Sequence, residues 1–457
     1  MKTSKMKLGF AGALAAFAFA FAAATATAKD KDVEHIFDGK SLNGWKQLGG
    51  AADYKVIDGT IVGSSRPGVP NSFLVTEKTW GDFILEFDVR QDVGPTNSGV
   101  QFRSLSTPDF ENGRVHGYQA DIDPSPRQWS GDIYEEAQRG WFYTGEMNPP
   151  SKSLYKFGQW NHYRLEAIGP RLRVWVNDGA VADVIDDATP SGFIGLQVHS
   201  INNADEAGRT VTWRNLTVQT GKLKPRPPMG IFIRNNIPNN LAADEQAQGW
   251  RLLWDGKTGK GWHNFGSAGF PAKGWSIHDG VLSADGTGGG DLFTAGRYRN
   301  FELSVDFRLT PGSNSGIKYL LDPKLSKNSD VGTEYQLLDD ALHPDAKLGR
   351  DGNRTLGAVY DLITPRNLSD PEHPGKRVNP PGEWNRAVIV VRGRHVEHWL
   401  NGFKVVDYER GSPEFRRLVA LSKFKALPTF GDDDVGPILL QDHGDKVDFR
   451  SIKLREF

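Results

Sequence analysis

The sequence predicts an all-β protein made of two tandem β-sandwich domains. Residues 301–309 alternate apolar and polar side chains, which is the period-two pattern of a strand with one face in a core. Residues 83–90 form the corresponding run in the first half of the chain. Asn177-Asp-Gly179 and Asn401-Gly402 are hairpin-turn sequences, because Asn, Asp and Gly accept positive φ. Many short strands joined by glycine-rich turns indicate sandwich or jelly-roll domains.

The same motifs occur twice, at a spacing too long for a solenoid repeat. Phe37-Asp-Gly-Lys, followed by Gly-Trp45, is answered by Trp254-Asp-Gly-Lys, followed by Gly-Trp262. We expect Trp45 and Trp262, the tryptophans of the Gly-Trp pairs, to lie in the cores of their domains. The repeat places one domain at residues 33–220 and the other at 250–457. Residues 221–249 are a linker, with a proline-rich stretch at 222–228 and a short helix at about 241–248. No other long stretch has helical periodicity.

The first 28 residues are predicted to be an export signal. Lysines precede an alanine-rich apolar run, and small residues follow it before Lys29. The alternative, a membrane anchor, fits less well because the run stops short of a comfortable span. We therefore expect a periplasmic or secreted protein with no membrane contact after cleavage. The net charge of −1 gives no electrostatic reason to expect nucleic acid, and the absence of cysteine excludes disulfides and a thiol nucleophile.

An apolar run closes in Gln-x-His near the end of each domain. The two versions end in Gln197-Val-His199 and Gln441-Asp-His443. If these residues lie on a strand, Gln and His share the face opposite the apolar anchors Leu196 and Leu440. A second repeated pattern aligns Tyr118-Gln119 with Tyr335-Gln336, the first copy lacking the preceding glutamate, Glu334.

The ordered set of motifs in the second copy resembles the 3-keto-disaccharide hydrolase domain family. It includes Asn314-Ser-Gly-Ile, Glu334-Tyr-Gln, His343-Pro-Asp-Ala, Tyr360-Asp-Leu-Ile and Leu440-Gln-Asp-His-Gly. The first copy is similar but has drifted from the pattern, and the resemblance covers nearly all of the mature chain. The resemblance implies a concanavalin A-like jelly roll, and cleavage of glycosides already oxidised to a ketone at C3. It also implies a separate sugar 3-dehydrogenase that supplies this saccharide substrate.

A 3-keto sugar has an acidified hydrogen at C2, so a base can remove it while the glycosidic oxygen leaves. Water then adds back, and the net result is hydrolysis. Such a site needs a base, a donor for the leaving oxygen and a cation or donor for the enolate oxygen. The catalytic candidates are His443, Glu334, Asp361 and Tyr360. The candidates for substrate contact in the second copy are Gln441, Gln336, Lys318, Arg354, His343 and Trp399.

The first copy is expected to be a substrate-binding or architectural partner. Its candidate contacts are Gln197, His199, Gln119 and Trp175. Trp175 and Trp399 share a face with charged neighbours, which fits sugar stacking or packing between sheets. No cofactor is predicted; the acidic runs 339–340 and 432–434 give only a weak indication of Ca²⁺, since such runs are usually solvated.

Two other functions stay open from the residues alone. A conventional β-glucanase on this fold needs two carboxyl groups about 5–5.5 Å apart, usually from alternate strand positions. The nearest match, Gln119-Ala-Asp121-Ile-Asp123, has an amide at one such position. A non-catalytic carbohydrate-binding module is also consistent with the sequence. Substrate identity, anomer, leaving group and oligomeric state have no sequence signal.

Overall fold

The structure is a computed structural model that describes Met1 and residues 32–322, 324–325 and 331–457. The predicted export signal at residues 1–28 lies outside the described residues apart from Met1. None of the helices formed by the described residues combines the length and hydropathy needed to span a bilayer.

The first domain consists of two packed sheets, antiparallel except where the linker joins. Its strands are β1 (Val33–His35), β2 (Trp45–Gly49), β3 (Asp53–Ile57), β4 (Thr60–Ser64), β5 (Ser72–Thr76), β6 (Phe83–Arg90), β7 (Ser98–Leu105), β8 (His116–Ile122), β9 (Ile133–Glu136), β10 (Gly140–Tyr143), β11 (Asn161–Ile168), β12 (Arg171–Val176), β13 (Gly179–Ile185), β14 (Phe193–Val198) and β15 (Thr210–Gln219). The front sheet has the order β10-β9-β8-β7-β14-β5-β2. The back sheet has the order β13-β12-β11-β6-β15-β4-β3, with β1 also paired to β15.

The segment between the domains is ordered and packs on both. Its strand β16 (Arg234–Asn235) pairs in parallel with β13 of the first domain. Helix α1 (Ala243–Ala247) lies inside the predicted helical range and is followed by Gly249 at φ +87°. The proline-rich stretch is held by the back sheet, since Arg173 Nη1 donates to the Pro227 carbonyl at 3.1 Å.

The second domain repeats this arrangement. Its strands are β17 (Arg251–Leu252), β18 (Trp262–Asn264), β19 (Trp275–His278), β20 (Val281–Asp285), β21 (Leu292–Thr294), β22 (Phe301–Leu309), β23 (Asn314–Tyr319), β24 (Thr333–Leu338), β25 (Trp384–Arg392), β26 (His395–Leu400), β27 (Phe403–Glu409), β28 (Leu439–Leu440) and β29 (Lys446–Glu456). The front sheet, β18-β21-β28-β23-β24, matches β2-β5-β14-β7-β8 strand for strand. The back sheet, β19-β20-β29-β22-β25-β26-β27, matches β3-β4-β15-β6-β11-β12-β13. The predicted all-β duplication is confirmed.

Each domain has its own hydrophobic core between its two sheets. On β22 the predicted alternation holds, with Phe301, Leu303, Val305, Phe307 and Leu309 all in the core. Trp45 and Trp262 lie in the cores of the first and second domains, as predicted. Burial of such apolar side chains is the main stabilising contribution to a sandwich of this kind.

One helix was not anticipated from the sequence. Helix α2 (Pro413–Ala420) begins after Ser412, whose side chain accepts a hydrogen bond from the Phe415 amide, and has proline in its first turn. Both features favour a helix start. The helix is only eight residues long, which is too few turns for a clear helical periodicity in the sequence. Shorter 3₁₀ turns occur at Pro149–Ser153, Ala204–Glu206 and Pro344–Lys347.

The predicted alignment of the third motif pair was wrong by two residues. Gln119 lies opposite Gln101 on β7, and Glu334 lies opposite Lys318 on the matching strand β23. Gln119 therefore corresponds to Glu334 rather than to Gln336, whose counterpart is Asp121. A shift of two residues keeps every side chain on the same sheet face, so the alternation pattern could not reveal it.

The two Gln-x-His motifs are not continuous strand. Strand β28 contains only Leu439 and Leu440, and His443 lies beyond it in a turn where the Gly444 amide donates to Asp442 Oδ1 at 3.0 Å. His199 likewise follows the last residue of β14. The prediction that Gln and His share a strand face was wrong for Gln441 and His443, which both lie beyond β28, whereas Gln197 lies on β14. Leu196 and Leu440 do anchor the two cores.

Candidate active site on the second domain

The outer face of the second front sheet carries a carboxylate beside a lysine. Glu334 and Lys318 are directly opposite each other on β24 and β23, so their side chains leave the same face. The Glu334 side chain lies across Gly316, since a Cβ atom at residue 316 would meet the Glu334 carboxyl group. Glu334 is only 7% exposed, and no hydrogen bond to its carboxylate is found within the described residues.

The environment of Glu334 raises the pKa of its carboxyl group. Burial raises its pKa, and the neighbouring Lys318 and Lys423 cations partly offset that rise. The carboxylates of Asp291 and Asp345 add to the increase. A carboxylate whose pKa is raised is a stronger base, and so better suited to proton abstraction, than an ordinary surface glutamate.

Two amides border this carboxylate. The main-chain N–H of Gln441 donates to the Gly316 carbonyl at 2.9 Å, so Gln441 lies beside the glycine that the Glu334 side chain covers. Gln336 on β24 is paired with Gly316 on β23. Its Nε2 donates to Asn314 Oδ1 at 2.9 Å. Gln336 Oε1 is buried and has no partner among the described residues, which leaves one acceptor for a ligand hydroxyl.

A hydrogen-bonded group around Asp345 forms one wall of the site. Tyr360 Oη donates to Asp345 Oδ2 at 2.8 Å, and Arg354 Nη1 donates to Asp345 Oδ1 at 2.8 Å. Arg354 Nε also donates to Asp361 Oδ1 at 2.7 Å. Burial raises the pKa of Asp345, but the hydrogen bonds from Tyr360 and Arg354 outweigh it and hold the pKa below its usual range.

Asp361 and Tyr360 are therefore both held by hydrogen bonds to other residues of this wall. Asp361 is buried, has a φ of +60°, and accepts a second hydrogen bond from the Lys423 amide at 2.7 Å. Burial and the bond to Asp345 raise the pKa of Tyr360, so its phenol stays neutral. Lys423 Nζ lies 4.1 Å from the centre of the Tyr360 ring. Burial of the amine lowers the pKa of Lys423, and the Glu334 carboxylate partly restores it.

Two histidines stand at the rim of this face. The rings of His343 and His443 pack edge to face with their centres 6.3 Å apart. His343 Nδ1 accepts a hydrogen bond from the Asp345 amide at 3.2 Å, which connects the pair to the wall just described. The His443 side chain is exposed, so solvent and a ligand can reach its ring.

The structure thus brings together nine of the predicted residues. These are His443, Glu334, Asp361, Tyr360, Gln441, Gln336, Lys318, Arg354 and His343. Sequence reasoning missed Asp345, Asp291 and Lys423. Asp345 belongs to the His343-Pro-Asp-Ala motif and could have been found there, whereas Lys423 follows helix α2 and has no local signal.

The two predicted tryptophans lie elsewhere. Trp175 is buried on the back sheet of the first domain, beneath the guanidinium groups of Arg173 and Arg226 at 5.0 Å and 5.3 Å. Trp399 is on the back sheet of the second domain, where its Nε1 donates to Glu397 Oε2 at 2.8 Å. Both side chains point away from the core, as the strand alternation predicts. Because they lie on the back sheets, neither can contact a ligand at the front-sheet site.

On the equivalent face of the first domain, the side-chain amides of Gln101 and Gln119 are hydrogen-bonded to each other and to Asp121. Gln119 lies across Gly99 as Glu334 lies across Gly316. Gln101 Nε2 donates to Gln119 Oε1 at 2.6 Å, and Gln119 Nε2 donates to Asp121 Oδ1 at 2.8 Å. Burial raises the pKa of Asp121 well above its usual range. This face has no lysine at the position of Lys318, because Gln101 stands there.

The other first-domain candidates are also engaged. Gln197 is buried, and its Nε2 lies 3.4 Å from Glu136 Oε2. The His199 ring makes a 2.7 Å hydrogen bond through Nδ1 with the Ser200 carbonyl. Gln197 Oε1 is buried and has no hydrogen-bond partner among the described residues.

Acidic groups that could hold a cation are mostly paired with basic side chains. His395, Glu397 and Asp407 place ligand atoms within 4.8 Å of one another. Lys404 Nζ lies between the two carboxylates, 2.6 Å from Glu397 Oε1 and 2.9 Å from Asp407 Oδ2. In the acidic runs, Asp340 pairs with Lys376, Asp432 with Arg416, and Asp434 with Arg410.

The fold and this face define a tandem β-sandwich protein with a polar, partly buried cluster of charged and amide side chains on the front sheet of one copy. The family model described as the 3-keto-alpha-glucoside-1,2-lyase-like domain matches residues 32–219 and 249–455. The chain belongs to this family, and both of its domains are copies of the family domain.

Several known proteins are similar to part of this chain. A 3-keto-disaccharide hydrolase from Bacteroides thetaiotaomicron is 36% identical over 247 residues, which is 48% of this chain and 81% of that protein. A solved structure from Parabacteroides distasonis, described as a glycosyl hydrolase, is 34% identical and has a TM-score of 0.41. It covers 48% of this chain and 99% of its own. The carbohydrate-binding module CBM66 from Bacillus subtilis is 20% identical, covers 39% of this chain and 96% of its own, and has a TM-score of 0.29.

Proposed function

We propose that the second domain cleaves 3-keto-glycosides by elimination across C1 and C2, followed by hydration. The observation that carries this proposal is the buried Glu334 carboxylate, which lies beside Lys318 and near Lys423 with no hydrogen bond of its own in the described structure. A carboxylate held in this way is available to accept a proton from a ligand. The family membership supports the substrate class, since the Bacteroides relative is a 3-keto-disaccharide hydrolase.

In the first half-reaction Glu334 takes the proton from C2 of the sugar. The electron pair of that C–H bond becomes the enolate, and the C3 oxygen gains negative charge. Lys318 and Lys423 are the cations close enough to Glu334 to stabilise that oxygen. The enolate then re-forms the ketone, a C1–C2 double bond appears, and the C1–O bond breaks.

The leaving oxygen needs a proton, and we assign that role to His443. The imidazole is exposed at the rim and packs against His343, so it can meet the departing group on the solvent side. In the second half-reaction the oxygen of water adds to C1, His443 takes the proton that this water loses, and C2 regains a proton from Glu334. Carbon, oxygen and proton counts balance, and the sum is hydrolysis with no oxidant or reductant consumed.

Asp345, Tyr360, Arg354 and Asp361 are positioning residues in this proposal. Their hydrogen bonds fix the loop that carries Lys423 and the turn that carries His343. The proposed reaction uses no cofactor. The first domain is proposed to be a substrate-binding or architectural partner that does not cleave saccharide, because Gln119 replaces the carboxylate of Glu334.

We further propose export to the periplasm or beyond, on the strength of the signal-like first 28 residues. The substrate is a ketone, so an oxidising reaction at C3 of a sugar, by a separate sugar 3-dehydrogenase, must precede this one.

The decisive experiment compares plain and 3-keto forms of one glucoside in D₂O. Cleavage of only the keto form, with deuterium found at C2 of the released sugar, is expected. Cleavage of the plain glucoside would instead support the β-glucanase alternative, and binding without turnover would support the carbohydrate-binding module. Glu334→Gln should abolish turnover, with Gln119→Ala as the matched change in the first domain. Equal cleavage rates for substrates carrying hydrogen and deuterium at C2, together with no uptake of deuterium at C2, would exclude the elimination.

A further inference from the structure

A cleft of about 680 Å³ lies between the two domains, away from the site just described. Its floor is the outer face of the second back sheet, which carries Arg386, Arg450 and Trp384. The opposite wall comes from β10 of the first domain, with Trp141 and Phe142. The linker residue Arg234 reaches the cleft from one end. The front sheet with Glu334 is on the other side of the second core, so the two sites are separate.

The guanidinium groups of Arg234, Arg386 and Arg450 line this cleft, and of these three only that of Arg386 is hydrogen-bonded to a carboxylate in the part of the chain that the structure describes. Arg386 Nε donates to Asp306 Oδ1 at 2.6 Å, and its Nη2 lies 3.2 Å from Asp306 Oδ2. Arg450 Nε is 3.7 Å from Asp306 Oδ2, which is too long for a hydrogen bond. Arg234 has no carboxylate partner in the described structure, and its one side-chain hydrogen bond goes from Nε to Asn236 Oδ1 at 3.2 Å.

Two donors on these arginines are buried and unused. Arg234 Nη1 and Arg450 Nε have no hydrogen-bond partner among the described residues. Burial, together with the charge of Arg386, lowers the pKa of Arg234 to about 9. Burial also lowers the pKa of Arg450. Guanidinium groups nevertheless keep their proton in proteins, so the cleft holds positive charge that is not neutralised. Leaving such charge unpaired is costly, and a bound anion would offset that cost.

The size and lining of the cleft restrict the anion. A volume of this order accommodates more than an inorganic ion. Half-buried Trp141 and Trp384 border it, next to the amides of Asn236 and Asn379. Flat apolar rings beside amide groups suit a hydroxylated ring, and a guanidinium fork suits a carboxylate.

We propose that this interdomain cleft binds a saccharide that carries a carboxylate group, with the carboxylate between Arg234 and Arg450. The choice of a saccharide rests on the proposed function, whereas the choice of an anion rests on the arginines alone. The cleft thereby gives the duplicated fold a recognition site for acidic sugars that neither single domain could form.

The test uses the full chain and isothermal titration calorimetry with D-glucuronate, D-glucose and inorganic sulfate. Glucuronate is expected to bind, glucose to show no binding at the same concentrations, and sulfate to compete with glucuronate. Arg234→Met and Arg450→Met should each weaken glucuronate binding about 10-fold or more, because each removes a charged donor. Arg308→Met is the matched control. Arg308 also stacks on Trp384, at 4.7 Å, but it is paired with Asp448 and lies outside the cleft lining.

Thermal melting separates loss of binding from loss of folding. Arg234→Met removes an unpaired charge, so its melting temperature should equal or exceed that of the wild type. Equal affinity for glucuronate and glucose, binding of sulfate alone, or wild-type affinity in both arginine variants would overturn the proposal. Glu334→Gln should retain glucuronate binding, so failure of the cleft and failure of the cleavage reaction are measured independently.

Discussion

Gly316 leaves open the space that the Glu334 carboxyl group occupies. A Cβ atom at residue 316 would overlap Glu334 Oε1 and lie 2.9 Å from Glu334 Cδ. The backbone of Gly316 is not in a left-handed conformation, since its φ is not positive. Its lack of a side chain therefore serves close approach rather than a turn. The Glu334 carboxylate can occupy its position only because residue 316 on the neighbouring strand β23 has no Cβ atom.

Gly316→Ala should reduce kcat for 3-keto-glucoside cleavage about 10- to 100-fold, because a displacement of about 1 Å at a reacting group has an effect of that order. Steady-state kinetics and a melting curve test this. Gly99→Ala is the matched control, since Gly99 has the same relation to Gln119 in the first domain. If both variants retain full activity, the location of the Glu334 carboxylate does not determine the rate.

His443→Ala should lower kcat about 100-fold or more, in the range of lost general acid catalysis, with the melting temperature nearly unchanged. The ring is exposed, so its removal costs little packing. His199→Ala removes the counterpart in the first domain and should leave cleavage intact. An active His443→Ala enzyme would remove His443 from the mechanism.

The buried Glu334 also predicts a stability effect with a definite sign. Its pKa in the folded state is raised above the ordinary value of 4.5. Between these two values the folded protein binds more protons than the unfolded chain, so the free energy of unfolding falls as pH rises. Glu334→Gln lacks this loss and should be more stable than the wild type at pH 7. The difference should vanish below about pH 4.5.

Chemical denaturation at pH 4 and pH 7 measures that difference. Gln119→Glu is the reverse change, because it buries a carboxyl group over Gly99 without a neighbouring lysine. That variant should be less stable than the wild type at pH 7. A Glu334→Gln variant that is destabilised at neutral pH would show that the carboxylate is held by favourable contacts instead.

Much of the front-sheet face was predictable, because strand alternation assigns a face to each residue. Glu334, Gln336 and Lys318 lie on adjacent strands, and their placement on the same outer face follows from period two. Alternation does not say which of two sheets a strand joins. Trp399 was assigned to the correct face of its strand, but that strand belongs to the back sheet.

The remaining parts of the site come from loops, where periodicity gives no information. Lys423 reaches Tyr360 because its amide is held by Asp361, a contact between residues 62 positions apart. The export signal, the sugar 3-dehydrogenase and any Ca²⁺ requirement stay predictions from the sequence.

A buried histidine under the site gives a last prediction, concerning acid stability. His398 is fully buried; its Nδ1 donates to the Gly357 carbonyl at 2.9 Å, and its Nε2 accepts from Tyr319 Oη at 2.7 Å. Burial lowers its pKa from 6.5 to about 4. The unfolded chain therefore binds a proton that the folded protein excludes, and stability is lost as pH falls from 6.5 towards 4.

The expected loss from this group is about 3 kcal/mol at pH 4 relative to pH 7. His398→Gln should be less stable than the wild type at pH 7 but should lose less stability between pH 7 and pH 4. Other titrating groups are common to both proteins and cancel in the comparison. His278→Ala, which alters an exposed histidine, should keep the wild-type slope. If His398→Gln keeps that slope too, His398 does not govern acid unfolding, and another buried group must be responsible.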